Sequence, residues 1–177
     1  MKKLFIPMAL IGLVGCADTK YYTDPQAAQE SITCNTDKFN GQTTCYMPNI
    51  MTCKDGNPPK SSLAGCGVPA TSMMLKTVYD DKVAVFGLNG YVAASNWIFP
   101  YKVTDDAGKD MKIGNTDSRA GSLTKEYLSL ELDRKYISDH TQTGIAMKVY
   151  GKRNDAIITL PAAYVQGFDS FLKSKGL

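Results

Sequence analysis

In this 177-residue sequence, five cysteines and a single histidine are the side chains best suited to covalent chemistry. Cys66 stands between Gly65 and Gly67 and leads through Val68 and Pro69 into an apolar run containing Ala70, Met73, Met74, Thr77 and Val78. Proline suits a first helical position, where its missing N–H would have had no partner. The apolar residues recur at helical spacing, and Leu75 and Tyr79 close most of the circumference. The pattern predicts a buried central helix over 69–79, with Cys66 just ahead of its positive end, where a thiolate is stabilised. A thiolate nucleophile needs an imidazole to hold its proton and an Asn or Asp to orient that imidazole. His140 is the only histidine, and Asn154 or Asp155, beyond the following strand, is the candidate orienting group. The competing reading makes Cys66 half of a structural disulfide, and both remain open on the residues alone.

The N-terminus gives the address. Lys2 and Lys3 form a positive region, and residues 4–14 form an apolar one too short to span a bilayer as a mature helix. Leu13, Val14, Gly15 and Cys16 follow, and this run resembles the bacterial lipobox. The resemblance implies a signal peptide over 1–15, cleavage before Cys16 and acylation of Cys16, so that several chains anchor the protein to a membrane. Ala17 stands where an aspartate would resemble an inner-membrane retention signal, which favours the outer membrane of a bacterial cell envelope. Leu63 to Cys66 repeats the pattern without an apolar region before it and is a decoy.

Residues 16–33 read as the lipidated N-terminus and a polar tether, with a short helix from Asp24, with Pro25 at its first position, to Glu30. Residues 34–66 are cysteine-rich and punctuated by turn dipeptides at Asn40-Gly41 and Asp55-Gly56, so a loop segment is expected. In an exported chain Cys34, Cys45, Cys53 and Cys66 predict two disulfides. Three connectivities are open; Cys34–Cys45 with Cys53–Cys66 is the simplest, and each short loop closed would contribute roughly 2–3 kcal/mol. A nucleophilic Cys66 would leave one of the other three unpaired. Zinc is disfavoured because no C-x-x-C pair exists and the histidine is remote, haem attachment has no motif, and no cofactor is called for.

Residues 67–177 read as a mixed α/β domain. Strand texture from 83 to 94 around Asn89-Gly90 predicts a hairpin turned at that dipeptide, and a further strand is expected near 97–103. Residues 122–137 fit a strand through Leu128, Leu130 and Leu132, or a helix capped by Ser122; the cap and the absence of Gly and Pro favour the helix. Strands follow at 144–150 and 156–160, then a last helix opened by Pro161 with Val165, Phe168, Phe171 and Leu172 as its apolar stripe. The net charge of +3 includes the two signal-peptide lysines, and no basic block remains, so nucleic acid is excluded as a partner.

Cys66-Gly67, Pro69-Ala70 and Met73 to Lys76, with Tyr79 beyond, resemble the nucleophile segment of papain-like cysteine peptidases related to bacteriocin-leader-processing proteases; Val68 is an insertion relative to that pattern. The resemblance implies a small papain-like or papain-half-like α+β domain, its central buried helix against an antiparallel sheet, preceded by the disulfide-rich loops. It implies Cys66 as nucleophile, His140 as base, Asn154 as orienting residue and a peptide or protein substrate. A second placement puts the family's histidine beyond Leu177 and makes the chain a truncated or inactive copy. The reading is thus an envelope lipoprotein with a cysteine-peptidase-like domain. The alternative is a non-catalytic, disulfide-stapled envelope module that binds or builds.

Overall fold

The computed structural model describes residues 23–59 and 66–177. The signal segment, Cys16 and the start of the tether lie outside the described residues.

The fold is mixed α+β and mostly antiparallel sheet. In the larger sheet, β1 (Thr33–Thr36), β2 (Thr43–Tyr46), β4 (Ala70–Tyr79), β5 (Ala84–Ala94), β8 (Thr124–Leu132) and β7 (Lys112–Arg119) lie in that order, and β3 (Ile50–Thr52) also pairs with β4. A smaller sheet runs β10 (Ala156–Leu160), β9 (Ile145–Gly151), β6 (Pro100–Asp105). The helices are α1 (Pro25–Glu30), α2 (Arg134–Asp139) and α3 (Ala162–Ser174).

The expected central helix over 69–79 is instead strand β4. Its alternate residues Thr71, Met73, Leu75 and Thr77 face the core, where all four are buried. The other set, Met74, Lys76 and Val78, is half-buried on the far face. A run apolar on both sides fits a central strand as well as a buried helix, and here β-branched Thr71, Thr77 and Val78 favour the strand. The Asn89-Gly90 turn is also corrected: β5 passes straight through it. The β4–β5 hairpin turns at Asp80, whose carboxylate accepts the N–H groups of Lys82 (2.8 Å) and Val83 (2.9 Å). These two bonds hold the Asp80 carboxyl below its ordinary range. Gly90 lies opposite Met73 in the ladder, and a Cβ there would come within 2.8 Å of Met73 Cα. Residues 122–137 resolve mostly as strand β8, with Leu128, Leu130 and Leu132 on the core face, followed by the short α2 capped by Asp133. The loop expectation for 34–66 gives way to three short strands, while α1, β9, β10 and α3 form where periodicity and caps predict them.

Strand β4 is paired along one side by two strands with a break between them. β2 covers Lys76 to Tyr79 and β3 covers Thr71 to Met73. The break holds Pro48, which has no N–H to give. Tyr164 of α3, fully buried, fills it: Leu75 N–H donates to Tyr164 Oη (3.3 Å), and Tyr164 Oη donates to the Pro48 carbonyl (2.7 Å). The two sheets meet by a similar substitution. Thr52 Oγ1 donates to the Thr159 carbonyl (3.2 Å) and accepts Thr159 N–H (3.0 Å), and Thr71 Oγ1 donates to the Ile157 carbonyl (2.9 Å). These hydroxyls satisfy edge groups of β10 that no neighbouring strand takes.

Helix α3 lays Tyr164, Val165, Phe168 and Leu172 into the core, each completely buried. Burying such a side chain contributes about 1.5–3 kcal/mol. At its C-terminal half, Asp169 accepts Arg134 Nη1 (2.6 Å) and Lys173 Nζ (2.7 Å), and Arg134 Nε donates to the Leu177 carbonyl (3.1 Å). Burial pushes the Asp169 carboxyl up, but the bonds from Lys173 and Arg134 outweigh it and leave the pKa lowered. Gly167, a weak helix residue by propensity, is where α1 crosses: a Cβ there would meet Ala28 Cβ and the Pro25 carbonyl at 2.7 Å.

Tyr164→Phe keeps the ring and strips the hydroxyl, leaving the buried Leu75 N–H without its acceptor and the half-buried Pro48 carbonyl without its donor. We expect a loss of about 1–3 kcal/mol in urea unfolding; an unchanged midpoint would show that the bridge contributes nothing. Gly167→Ala should lower stability by about 1–3 kcal/mol through overpacking against α1, although propensity alone would raise it by about 1 kcal/mol. The sign of the shift in melting temperature separates the two effects.

Candidate functional site

Both disulfides form, with the nearest-neighbour pairing: Cys34 to Cys45 and Cys53 to Cys66. Cys34 and Cys45 stand directly opposite across the β1–β2 ladder. Cys66 and Cys53 are buried together with Ala70, and the Cys66 carbonyl accepts Lys54 N–H at 3.2 Å. Cys66 therefore carries no thiolate in this structure, and it leads into β4 rather than into the N-terminus of a helix.

His140 ends α2. Its Nδ1 lies 2.7 Å from the Tyr136 carbonyl, which can only accept, so Nδ1 carries the proton and the ring stays over its own helix. The imidazole stacks on Tyr136 with 4.1 Å between ring centroids. Burial, and then the Asp105, Asp106 and Asp133 carboxylates, push the Tyr136 phenol well above its ordinary pKa. Asn154 lies in the β9–β10 turn and lines a cleft with Lys54, Val68 and Pro69, on the Cys66 side. Asp155 pairs with Lys148 at 2.9 Å. His140 and Asn154 thus sit beyond opposite ends of β9, a strand length of roughly 20 Å apart. The fold brings Asn154 toward the Cys66 segment and leaves His140 at the far end.

A different set of residues converges elsewhere. Phe99 takes φ +55, a left-handed conformation costly for a bulky side chain. Four hydrogen bonds surrounding it fix the turn. Glu126, almost fully buried, accepts Ile98 N–H (2.7 Å) on one carboxylate oxygen and Phe99 N–H (2.8 Å) on the other. Lys152 N–H donates to the Phe99 carbonyl (3.3 Å) and Arg153 N–H to that of Ile98 (3.4 Å). The turn presents the Phe99 and Tyr101 rings outward, 44% and 60% exposed.

Those rings rim a shallow groove of about 330 Å³ with Tyr127, Asp117, Ser118 and Lys152. On the far side Tyr127 meets Tyr91 edge-on, centroids 5.6 Å apart, its direct neighbour in the β5–β8 ladder. Cations lie over the rings: Lys125 Nζ is 4.8 Å from Tyr91, Arg119 Cζ 5.4 Å from Tyr127 and Arg153 Cζ 5.6 Å from Phe99. Arg119 also approaches Asp117 at 4.0 Å. Among the described residues no ion pair engages Lys125, Lys152 or Arg153. The lining thus combines exposed rings with one cation, Lys152, and two acids, Asp117 and the buried Glu126. Sequence reasoning missed it; the dense aromatic run Trp97, Phe99, Tyr101 around Pro100 was the available signal.

No family model matches this chain, and no curated protein or solved structure matches it either.

Iodoacetamide applied to the unreduced protein should label none of Cys34, Cys45, Cys53 and Cys66, and all four after reduction and unfolding. In Cys66→Ser the new thiol should map to Cys53. Rapid labelling of Cys66 without reductant would restore the nucleophile assignment.

Proposed function

We propose that this chain is a lipid-anchored protein of the bacterial cell envelope whose mature domain is a non-catalytic, disulfide-stapled module that binds or builds. The single observation that carries the choice is the Cys53–Cys66 disulfide. A sulfur already bonded to sulfur has no lone thiolate to attack a carbonyl. The lipobox resemblance at Cys16 supports the anchor, Ala17 the outer membrane, and a pair of disulfides suits an oxidising compartment. The papain-like resemblance of 66–79 remains a likeness of residues; a peptidase would need the bond reduced and His140 carried the length of β9. The anchor holds the protein to the membrane, and the domain works in the space the tether gives it.

Two measurements test this reading. Cells fed labelled palmitate should acylate the wild-type protein and not Cys16→Ser, which should accumulate as the uncleaved precursor; a labelled Cys16→Ser protein would defeat the anchor. The purified protein should hydrolyse an unstructured protein such as casein no faster than Cys66→Ser does. Cleavage that depends on Cys66 would restore the peptidase.

A further inference from the structure

We propose that the groove between β7 and the Phe99 and Tyr101 rings takes an extended peptide segment of a partner protein, without net charge, added as a further strand along β7. The proposal rests on the reading of the domain as a binding module and names the chemistry of its partner.

The groove is the mouth of a fork. Strands β6 and β7 begin as a hairpin: Thr104 bridges Asp110, and Met111 N–H donates to the Val103 carbonyl at 2.8 Å. There the shared ladder stops, because β6 goes on pairing with β9 in the smaller sheet and β7 with β8 in the larger. Past that base each is the outermost strand of its sheet among the described residues, paired on one side only. A strand paired on one side leaves every second N–H and C=O along the other without a ladder partner. Such a row matches one ligand above others, the backbone of another extended chain.

The two borders are not equivalent. At the mouth β6 contributes Pro100, which has no N–H, and its register slips between Pro100 and Lys102. β7 slips between Ile113 and Asn115, and from Asn115 to Arg119 its pairing with β8 keeps an unbroken register. Asp117 and Ser118, in that regular stretch, line the groove. The added strand therefore pairs with β7, and the opposite wall gives it rings. Phe99 and Tyr101 are exposed there, within reach of alternate side chains of an extended peptide. The strained Phe99 turn, tied by both oxygens of Glu126, sets that wall before any ligand arrives. Charge fits the same occupant. Lys152 is the one cation in the lining, Asp117 stands against it, and both Glu126 oxygens are taken by N–H groups. A polyanion or a polycation finds no surplus to answer it, and a chain without net charge needs none.

The test uses full-length protein in non-ionic detergent at physiological salt. A displayed library of random decapeptides is panned on it, binders to the bare support are removed, and the most enriched sequence is synthesised as the probe. We expect the probe to bind saturably and to slow amide exchange from Asn115 to Arg119. Strand β1, an equally open edge at the far side of the sheet, should exchange as before. Alternate amides of a strand face opposite edges, so N-methylating one alternate set of the probe should weaken binding about tenfold and the other set far less. Phe99→Gly, which suits the left-handed backbone, and Tyr101→Ala should each weaken it about fivefold. Phe39→Ala, which removes a fully exposed ring at the β1–β2 turn, should leave it unaltered. The proposal is overturned if no sequence is enriched, if both N-methylated sets bind alike, or if Phe39→Ala weakens binding as much as the groove variants. It is equally overturned if β7 is protected before any probe is added, whether by a second copy in detergent or by lipid in phosphatidylglycerol nanodiscs. Failure here leaves the anchor and the missing catalysis untouched, since palmitate labelling and hydrolysis measure those separately.

Discussion

The Tyr164 hydroxyl closes the one gap in the ladder of the central strand, and most of the fold leans on that closure. Without it, β4 would carry a buried N–H at Leu75 opposite a proline. With it, one helix residue joins the break between β2 and β3, fixes the depth of α3 over the larger sheet and helps bury Phe168 and Leu172 beside it. The threonines at 52 and 71 apply the same rule at the sheet junction. Side-chain hydroxyls stand where a strand is missing, and buried polar backbone is left satisfied.

This economy extends to the groups that looked reactive. Each is engaged in structure: Cys66 in a crosslink, His140 on the carbonyl of its own helix, Asp155 with Lys148. By contrast, the strained turn seats Ile98 in the core but sends the Phe99 ring outward, and a buried carboxylate is consumed to hold both. Internal order has been spent on shaping an outer surface, and that contrast directs attention from the cysteines to the rings.

Much of the secondary structure was legible because independent signals agreed. Asp24 and Pro25 marked α1, alternation marked β9 and β10, and an apolar stripe behind Pro161 marked α3. Residues 69–79 misled because both faces of β4 are apolar, which erases the period that separates strand from helix. Asn89-Gly90 misled because Gly90 serves a close backbone approach to Met73 rather than a turn. Four cysteines announced two disulfides, but spacing offered the observed pairing only as the simplest of three, and the run that resembles a lipobox lies outside the described residues. The groove was hidden for a plainer reason. Phe99, Tyr127 and Lys152 come from separate segments, and only the fold makes them neighbours.

The Cys34–Cys45 crosslink has a mechanical consequence. Strand β1 is an outermost strand, paired to β2 alone, and it comes directly after α1. Any pull applied through the residues before Asp24 would first peel α1 from α3, then unzip β1 from the sheet one pair at a time. The second pair in that zipper is Cys34 with Cys45, after Thr33 with Tyr46. There the tear stops at a covalent bond, and the load passes sideways into β2 and from there to β4, where the rungs must rupture together rather than in turn. The domain is built to shed a short leader under tension and keep its body folded.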